Sequence, residues 1–352
     1  MQIETNPSSG LAGLDRPNIL VQGLNLNCRA ELHRIASVLR EQVASRLKRR
    51  GIVVALSGGI DSSVTAAICV HALGADRVLG LCLPERESST QSEELAVALA
   101  KSLGIELITT DVTGMLEAAG CYRLRNEAIR ELVPSYGEGY RCKLVLSSIA
   151  NGARYAVPSL IVGSPDGASQ KVRLNAATYL KIVAATNFKQ RVRKTMEYYH
   201  ADRLQYAVAG TPNRLEYDQG FFVKNGDGAA DVKPIAHLYK SQVYELADFL
   251  ELPDMIRQRH PTTDTFSMEQ SQEEFYFGVP LPTLDLCLYA KNCGFSPRDA
   301  ASLTGLSADT VTSIYDMIEA KRRATAYLHE SGLTVEQLSF QAAPHRRAAE
   351  AF

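Results

Sequence analysis

The sequence predicts an α/β protein: a doubly wound parallel sheet with helices on both faces, an inserted β-hairpin and a helical C-terminal cap. Three observations predict this fold class. Short runs that are apolar throughout alternate with segments of helical periodicity, two extended runs flank a Ser-Pro-Asp-Gly turn, and the chain beyond about Leu284 has helical patterns. Strands that are apolar on both faces are typical of a parallel sheet covered by helices.

The first half of the chain alternates between helix and strand. A helix is predicted over "RAELHRIASVLREQVASRLKRRG", because five apolar residues share one face: Leu32, Ile35, Leu39, Val43 and Leu47. The alternation continues as strand "IVVALS", helix "SSVTAAICVHAL", strand "VLGLCLP", helix "STQSEELAVALAKSLG" and strand "ELITTDV".

The second half resumes this alternation after an interruption. Helix "RVRKTMEYYHADRL", strand "QYAVAGT" and helix "HLYKSQVYELADFLEL" follow one another, and "YAVPSLIVGSPDGASQKVRL" before them predicts a hairpin. The predicted organisation is an N-terminal extension (1–28), an α/β core (29–265) with an insertion at about 135–185, a helical cap (266–330) and a tail (331–352).

Composition narrows the class of protein. The 352 residues are 45% apolar with a net charge of −1, so no overall basic bias favours nucleic acid or a membrane surface. The cysteines are odd in number, scattered and without a CxxC pair: Cys28, Cys69, Cys82, Cys121, Cys142, Cys287 and Cys293. Reduced thiols fit this pattern better than disulfides or zinc. With no signal peptide and no apolar run of about 18 residues, a cytoplasmic protein without a membrane span is expected.

The stretch "VVALSGGIDSSVTAAI" runs from a predicted buried strand through two glycines into a helix. Backbone N–H groups in such a loop, and the helix N-terminus behind it, favour a bound phosphate. The residues that would line it are Ser57, Gly58, Gly59, Ser62 and Ser63. Asp61 fits beside a phosphate only if Mg²⁺ lies between them.

An ordinary helix N-cap would also explain Asp and Ser at this turn. The loop has no Lys after the glycines, so it is not the GxxxxGK[ST] loop of γ-phosphate transfer.

"SGGIDSS" resembles the pyrophosphatase loop of ATP enzymes that cleave between the α and β phosphates. The segment "NFKQRVRKTMEYYHADRLQYAVAGTPNRLEYDQGFFVKNGDGAADVKPIAHLYKSQVYELA" resembles the second signature of the NAD synthetase family, ammonia-dependent type. "PTTD" stands where that family has a Pro-Thr-Ala motif, and the likeness covers roughly residues 29–323. The resemblance implies a ligase that adenylates the carboxylate of deamido-NAD with ATP, releases pyrophosphate, and lets ammonia displace AMP to give NAD.

The resemblance also implies residue roles. Magnesium would be held by Asp61 and Glu216. ATP would contact Ser57, Gly58, Gly59, Asp61, Ser62, Ser63, Thr211, Lys240 and Thr262. The deamido-NAD substrate would contact Arg191, Lys224, Asp231 and Lys321. The catalytic residues would be Asp61, Lys240 and Asp231.

Each role has a plainer alternative. Glu216 and Lys240 could be solvated helix charges, and Arg191 lies in "KQRVRK", a run typical of a solvated helix face. Asp231 follows a Gly-rich turn, where Asp is common for backbone reasons. The role of Lys321 is supported only by its alignment with a Lys near the C-terminus of the family.

Three departures from the family pattern leave the acceptor open. The chain between Asp111 and Asn187 is longer than usual, Ala320 stands where the family has His before Lys321, and "TFSMEQSQEEFYFGVPLPTLD" is more apolar than the usual acidic loop. The alternative function is a family relative that amidates or ligates a different carboxylate by the same adenylation chemistry.

Partners follow from the same reading. About 28 residues precede the first predicted helix, too few for a glutaminase with its Cys nucleophile, so free ammonia or a separate glutaminase is expected. The family suggests a homodimer.

The segment "SPRDAASLTGLSADTVTSIYDMIEAKRRA" is similar to a helix-turn-helix, but its second helix carries Asp309, Asp316 and Glu319, which disfavours DNA binding. A third alternative, a protein that binds ATP without catalysing a reaction, is disfavoured because both predicted metal carboxylates are present.

Overall fold

A computed structural model describes residues 23–147, 158–263 and 265–336. Its centre is a parallel sheet of four strands in the order β3-β2-β1-β7. The strands are β1 (Ile52–Ala55), β2 (Val78–Cys82), β3 (Glu106–Thr109) and β7 (Ala207–Ala209). All four match predicted strands. Most of the predicted N-terminal extension (1–22) and of the tail (337–352) lies outside the described residues.

Helices cover both faces of this sheet, which confirms the doubly wound fold. One face packs against α1 (Cys28–Glu41), α2 (Ile60–Leu73), α3 (Thr90–Leu103), α9 (Lys240–Phe249) and α10 (Asp254–Arg257). The other packs against α4 (Thr113–Ala118), α5 (Cys121–Arg130) and α7 (Phe188–Leu204). Ile52 and Val54 of β1 belong to the first apolar cluster and Val53 to the second, as alternation along a strand requires.

The predicted hairpin is part of a larger inserted sheet. β4 (Arg141–Leu146), β5 (Pro158–Gly163) and β6 (Ser169–Arg173) are antiparallel neighbours in that order. β5 and β6 form the hairpin around 164–167, and residues 155–157 of the predicted stretch lie outside the described residues. β4 is not predicted by the sequence. The sheet packs on α5 and on α6 (Ala176–Thr186).

The C-terminal helices form the predicted cap. α8 (Arg214–Gln219), α11 (Leu281–Asn292), α12 (Pro297–Thr304) and α13 (Ala308–His329) share one apolar cluster that includes Leu215, Leu284 and Ile314. The cap therefore rests on α8. None of the helices in the described ranges is long and apolar enough to cross a membrane.

The strand order places a crevice between β1 and β7. The chain runs outward from β1 to β2 and β3, then returns to β7 on the other side of β1. Ligands of open α/β sheets bind beyond the carboxyl ends of the strands at such a reversal. The loop after β1 and the loop after β7 meet at this position.

Candidate functional site

The loop after β1 depends on glycine at position 58. Gly58 has a φ of +70°, a region that favours glycine. A Cβ atom there would lie 2.7 Å from the backbone oxygen of Ser92 and 2.9 Å from Cβ of Leu95. The loop therefore passes so close to α3 that no side chain fits, and its backbone is held at the N-terminus of α2.

Three serines hold this loop in shape. The hydroxyls of Ser62 and Ser63 each donate to the carbonyl of Gly59 at 2.9 Å, and the N–H of Gly59 donates to Ser57 Oγ at 3.3 Å. Side-chain oxygens and loop N–H groups thus converge at the start of α2, where the helix dipole is positive. The arrangement suits the phosphate binding that the sequence predicts.

Asp61 connects this loop to the loop after β7. Its Oδ1 accepts from Nδ2 of Asn213 at 2.9 Å, and its Oδ2 accepts from Nζ of Lys240. Asn213 is 1% exposed and Lys240 is 3% exposed. Residues from three separate parts of the chain therefore meet at one carboxylate.

Glu216 is held by the same asparagine. Asn213 is the N-cap of α8, and the two residues form a capping box: Glu216 N donates to Asn213 Oδ1 at 3.1 Å, and Asn213 N donates to Glu216 Oε2 at 3.2 Å. The other oxygen, Oε1, accepts from Gln272 Nε2 at 2.9 Å. Asn213 thus ties the two predicted metal carboxylates together.

Asp285 fixes the position of Lys240. Its carboxylate accepts from the backbone N–H of Lys240 at 3.2 Å and of Ser241 at 2.6 Å, and so caps the N-terminus of α9. Burial raises the pKa of Asp285 to about 6. The sequence analysis does not predict this residue.

Electrostatics at the two carboxylates favour an added cation. Burial and the charge of Asp61 raise the pKa of Glu216 above its ordinary value. Burial alone would lower the pKa of Lys240, but the charges of Asp61 and Glu216 raise it. One lysine faces two carboxylates, so the ionised cluster carries a surplus negative charge.

These residues fit Mg²⁺. It typically takes one or two protein carboxylates and completes its shell with water and phosphate oxygens. Within the described residues no group of three or more His, Cys, Asp or Glu could hold a metal. Among the described residues, buried Gln272 Oε1 and Thr263 Oγ1 have no hydrogen-bond partner; a water molecule would donate to the first, and a water or phosphate oxygen would accept from the second.

Arg259 is a cation at the phosphate loop that the sequence analysis does not predict. Its guanidinium donates to Gly58 O at 3.3 Å, to Ser92 Oγ at 3.0 Å and to Thr262 Oγ1 at 3.4 Å. These acceptors are neutral, and no ion pair of Arg259 exists within the described ranges. The predicted ATP residue Thr262 thus lies beside the loop, and Thr211 follows β7 in the same crevice.

Two predicted acceptor residues lie together, away from this cluster. Arg191 Nε donates to Lys224 O at 3.3 Å, and its side chain is exposed. Nζ of Lys224 donates to the carbonyls of Tyr327 and Glu330 at 2.6 and 2.7 Å, at the end of α13. Among the described contacts, none joins either residue to Asp61 or Glu216.

The remaining two predicted acceptor residues have structural contacts of their own. Asp231 accepts from Val208 N at 2.8 Å and from the Tyr198 hydroxyl at 3.4 Å, which ties it to β7 and α7. Lys321 donates to Tyr276 O at 2.6 Å and lies over that ring, and burial lowers its pKa to about 7. Their acceptor roles remain predictions.

A buried ion cluster lies in the chain segment that follows β2 and joins it to α5 and α7. Lys189 Nζ binds Glu85 at 2.8 Å and Glu87 at 2.7 Å, and Arg125 binds both oxygens of Glu87 at 2.6 and 2.8 Å. The Glu85 and Lys189 side chains are 0% and 1% exposed. Burial alone would raise the pKa of Glu87, but the hydrogen bonds of Arg125 and the charge of Lys189 lower it to about 2.

This cluster predicts a pH-dependent stability. The folded pKa of Glu87 lies below its ordinary value of 4.5, so its contribution is present above about pH 4.5 and is lost as the pH falls towards 2. Glu87→Gln should lower the free energy of unfolding by about 3–5 kcal/mol near neutral pH, because buried Arg125 loses its ion-pair partner and Lys189 loses one of its two. The deficit should shrink below pH 4.5, as measured by urea unfolding at several pH values.

Glu127→Gln is the matched control. Glu127 pairs with Arg123 on the surface, where the side chains are 50% and 67% exposed, so its loss should change stability by less than about 1 kcal/mol. A deficit of Glu87→Gln that stays constant from neutral pH to about pH 3 would contradict the linkage.

The chain is similar to known proteins over most of its length. A family profile described as NAD synthase matches residues 31–134 and 164–325. An NH₃-dependent NAD⁺ synthetase from Mesorhizobium japonicum is 57% identical over 87% of this chain and 96% of its own length.

Solved structures share the fold. An NH₃-dependent NAD synthetase from Campylobacter jejuni superposes with a TM-score of 0.57 at 20% identity, over 88% of this chain and 100% of that chain. An NMN synthetase from Francisella tularensis gives 0.56 at 21% identity, over 88% and 99%. At these identities the likeness concerns the fold alone.

Proposed function

Because the chain belongs to the NAD synthase family, we propose that it converts deamido-NAD to NAD with ATP and ammonia. The observation that carries the proposal is the joined cluster of Asp61, Asn213, Glu216 and Lys240 at the carboxyl ends of β1 and β7. It unites carboxylates suited to Mg²⁺ with a buried cation beside a phosphate loop.

The reaction has two steps. An oxygen of the deamido-NAD carboxylate attacks the α-phosphorus, the bond from that phosphorus to the bridging oxygen breaks, and pyrophosphate leaves. Ammonia then attacks the acyl carbon, the C–O bond to AMP breaks, and a proton is released with AMP. A carboxylate reacts with ammonia only after it has been joined to AMP, because AMP is a good leaving group.

The chain's own residues stabilise charge in the first step. Gly59 N–H and the hydroxyls of Ser57, Ser62 and Ser63 lie at the start of α2 and donate within the loop in this structure; when ATP binds they would turn to donate to the departing pyrophosphate. Lys240 contributes a buried positive charge. Mg²⁺, held by Asp61 and Glu216, would supply further charge compensation to the phosphates.

Arg259 extends this set. Its guanidinium lies at the loop carbonyl of Gly58 and near Thr262, and its Nε–H and one Nη1–H make no described hydrogen bond and could donate to phosphate. We assign Arg259 to the pyrophosphate end of ATP.

The acceptor residues follow from family resemblance. Arg191 is the best supported, because its guanidinium is exposed and has one weak contact, to the carbonyl of Lys224. Lys224, Asp231 and Lys321 complete the proposed acceptor set. The proposal also includes ammonia delivered freely or by a separate glutaminase, a homodimer and a cytoplasmic setting.

The products of ATP test the reaction. With ATP, Mg²⁺, ammonium and deamido-NAD, the protein should form AMP, pyrophosphate and NAD in equal amounts, measured by mass spectrometry. No ADP should form, because the loop lacks the Lys of γ-phosphate transfer. Stoichiometric ADP would overturn the proposed chemistry.

The same assay distinguishes deamido-NAD from an alternative acceptor carboxylate. Nicotinate mononucleotide and other carboxylates should compete poorly with deamido-NAD at equal concentration. Preference for one of them, with AMP still formed, would replace deamido-NAD and retain the adenylation.

A further inference from the structure

The inserted sheet lies largely outside the NAD synthase profile, whose match stops at residue 134 and resumes at 164. β4 and β5 fall in that gap. Their apolar side contacts Phe266, which is 3% exposed and packs with Leu144 and Leu160. Phe266 begins a stretch of residues 266–277, here named the bridging segment, that runs from the inserted sheet to the carboxylate cluster.

The near end of the bridging segment is bonded to the backbone of β4. Cys142 N donates to Ser267 Oγ at 2.9 Å, and Met268 N donates to Cys142 O at 3.2 Å. Nε of Arg141 donates to Ser267 O at 2.7 Å. β4 thus pairs with β5 and holds the bridging segment as well.

Side chains continue this attachment. Lys143 forms an ion pair with Glu274 at 2.8 Å, with the two side chains 17% and 36% exposed. Nε2 of Gln270, a residue 1% exposed, donates to Leu144 O. Successive residues of β4 therefore fix successive points of the bridging segment.

The middle of the bridging segment reaches the site. Thr263 N donates to Gln270 O at 2.8 Å, and Gln272 N donates to Pro261 O at 3.2 Å, which folds the segment back along the residues around Thr262. Nε2 of Gln272 then donates to Glu216 Oε1 at 2.9 Å.

We propose that β4 and the bridging segment form a brace that makes Gln272 a positioning residue for Glu216; the inference rests on the proposed function. The Asn213 N–H holds one oxygen of Glu216 and Gln272 holds the other, so the carboxylate cannot rotate without breaking a hydrogen bond. A carboxylate fixed in this way is oriented before the metal arrives, as partners around metal ligands generally ensure. The sheet thereby acts on metal and ATP binding at a distance.

The test is Mg²⁺-dependent binding of a non-hydrolysable ATP analogue, measured by calorimetry. Gln272→Met keeps the side-chain length and removes the donor, and it should weaken binding about ten- to hundredfold, the size of one hydrogen bond to a charged group. Gln272→Asn, which withdraws the amide by one methylene, should weaken it in the same direction. Binding of the analogue without Mg²⁺ should stay at the wild-type level.

A second set of variants tests the brace. Lys143→Met combined with Ser267→Ala should speed hydrogen exchange of the bridging segment and weaken Mg²⁺-dependent binding. Combined with Gln272→Met, it should add little to the loss, since both act through one contact. Lys171→Met, an exposed position on β6, is the matched control and should change neither quantity.

Wild-type affinity in Gln272→Met, or fully additive losses in the combined variant, would overturn the brace while leaving the proposed reaction intact. A wild-type protein that binds the analogue identically with and without Mg²⁺ would overturn the brace and the proposed metal chemistry together. Loss of folding in Gln272→Met, seen by circular dichroism, leaves Gln272→Asn to decide by the same binding criterion.

Discussion

Asp61→Asn should lower the rate of AMP formation by about a thousandfold, because one of the two proposed Mg²⁺ carboxylates becomes neutral. The change keeps the shape of the side chain. Its single amide oxygen can accept from Asn213 or from Lys240 but not from both, so circular dichroism should first show that the variant is folded. The measurement is pyrophosphate release at saturating ATP and deamido-NAD, together with the Mg²⁺ concentration that gives half of the maximal rate.

Asp76→Asn is the matched control. Asp76 is exposed in the turn after α2 and should leave turnover unchanged. If Asp61→Asn kept more than about a tenth of wild-type turnover, the metal would have to be held elsewhere and the assignment would be wrong.

The sheet could be predicted because its local signals agree with the fold. β1 and β2 are apolar on both faces, and α2 begins at a turn that only glycine at position 58 permits. The sequence does not predict β4, because "RCKLVL" gains partners from a distant part of the chain: Cys142 and Leu144 contact residues 267 and 270. No local pattern predicts a pairing of that separation.

The residues of the site likewise divide into those with a local sequence signal and those placed by distant contacts. Asp61 contacts Lys240 and shares Asn213 as a partner with Glu216, while the roles of these residues in ATP and Mg²⁺ binding remain predictions. The signature N-x-x-E in "TPNRLE" predicts a capping box and could have found Asn213. Gln272 has no such signal, because its role follows from where the middle of the bridging segment lies in the fold.

Arg259 and Asp285 were missed for a related reason. Arg259 stands two residues before Pro261 as one of several basic residues, and only the fold shows that its guanidinium reaches the Gly58 carbonyl. Asp285 is separated by 45 residues from the helix end that it caps. Function at both positions depends on tertiary contacts.

Lys240→Met should lower both stability and turnover. The variant leaves Asp61 and Glu216 buried without their cation, so the free energy of unfolding should fall by about 3–5 kcal/mol in the absence of Mg²⁺. Turnover should fall about a hundredfold or more, because a buried charge near the phosphates is lost. Thermal unfolding and pyrophosphate release measure the two effects, and Lys240→Arg, which keeps the charge, should retain more of the stability than Lys240→Met.

Adding Mg²⁺ and ATP separates two roles of Lys240. A ligand that binds only the folded state restores stability in proportion to its concentration over its Kd, so saturating MgATP should recover much of the lost stability of Lys240→Met. If Lys240 merely balanced the charge of Asp61, turnover would recover with stability, since the metal replaces that charge. Because Lys240 is proposed to contact the phosphates as well, turnover should stay low while stability returns. Recovery of both would reduce Lys240 to a structural counter-ion and leave Arg259 as the proposed cation of the pyrophosphate end.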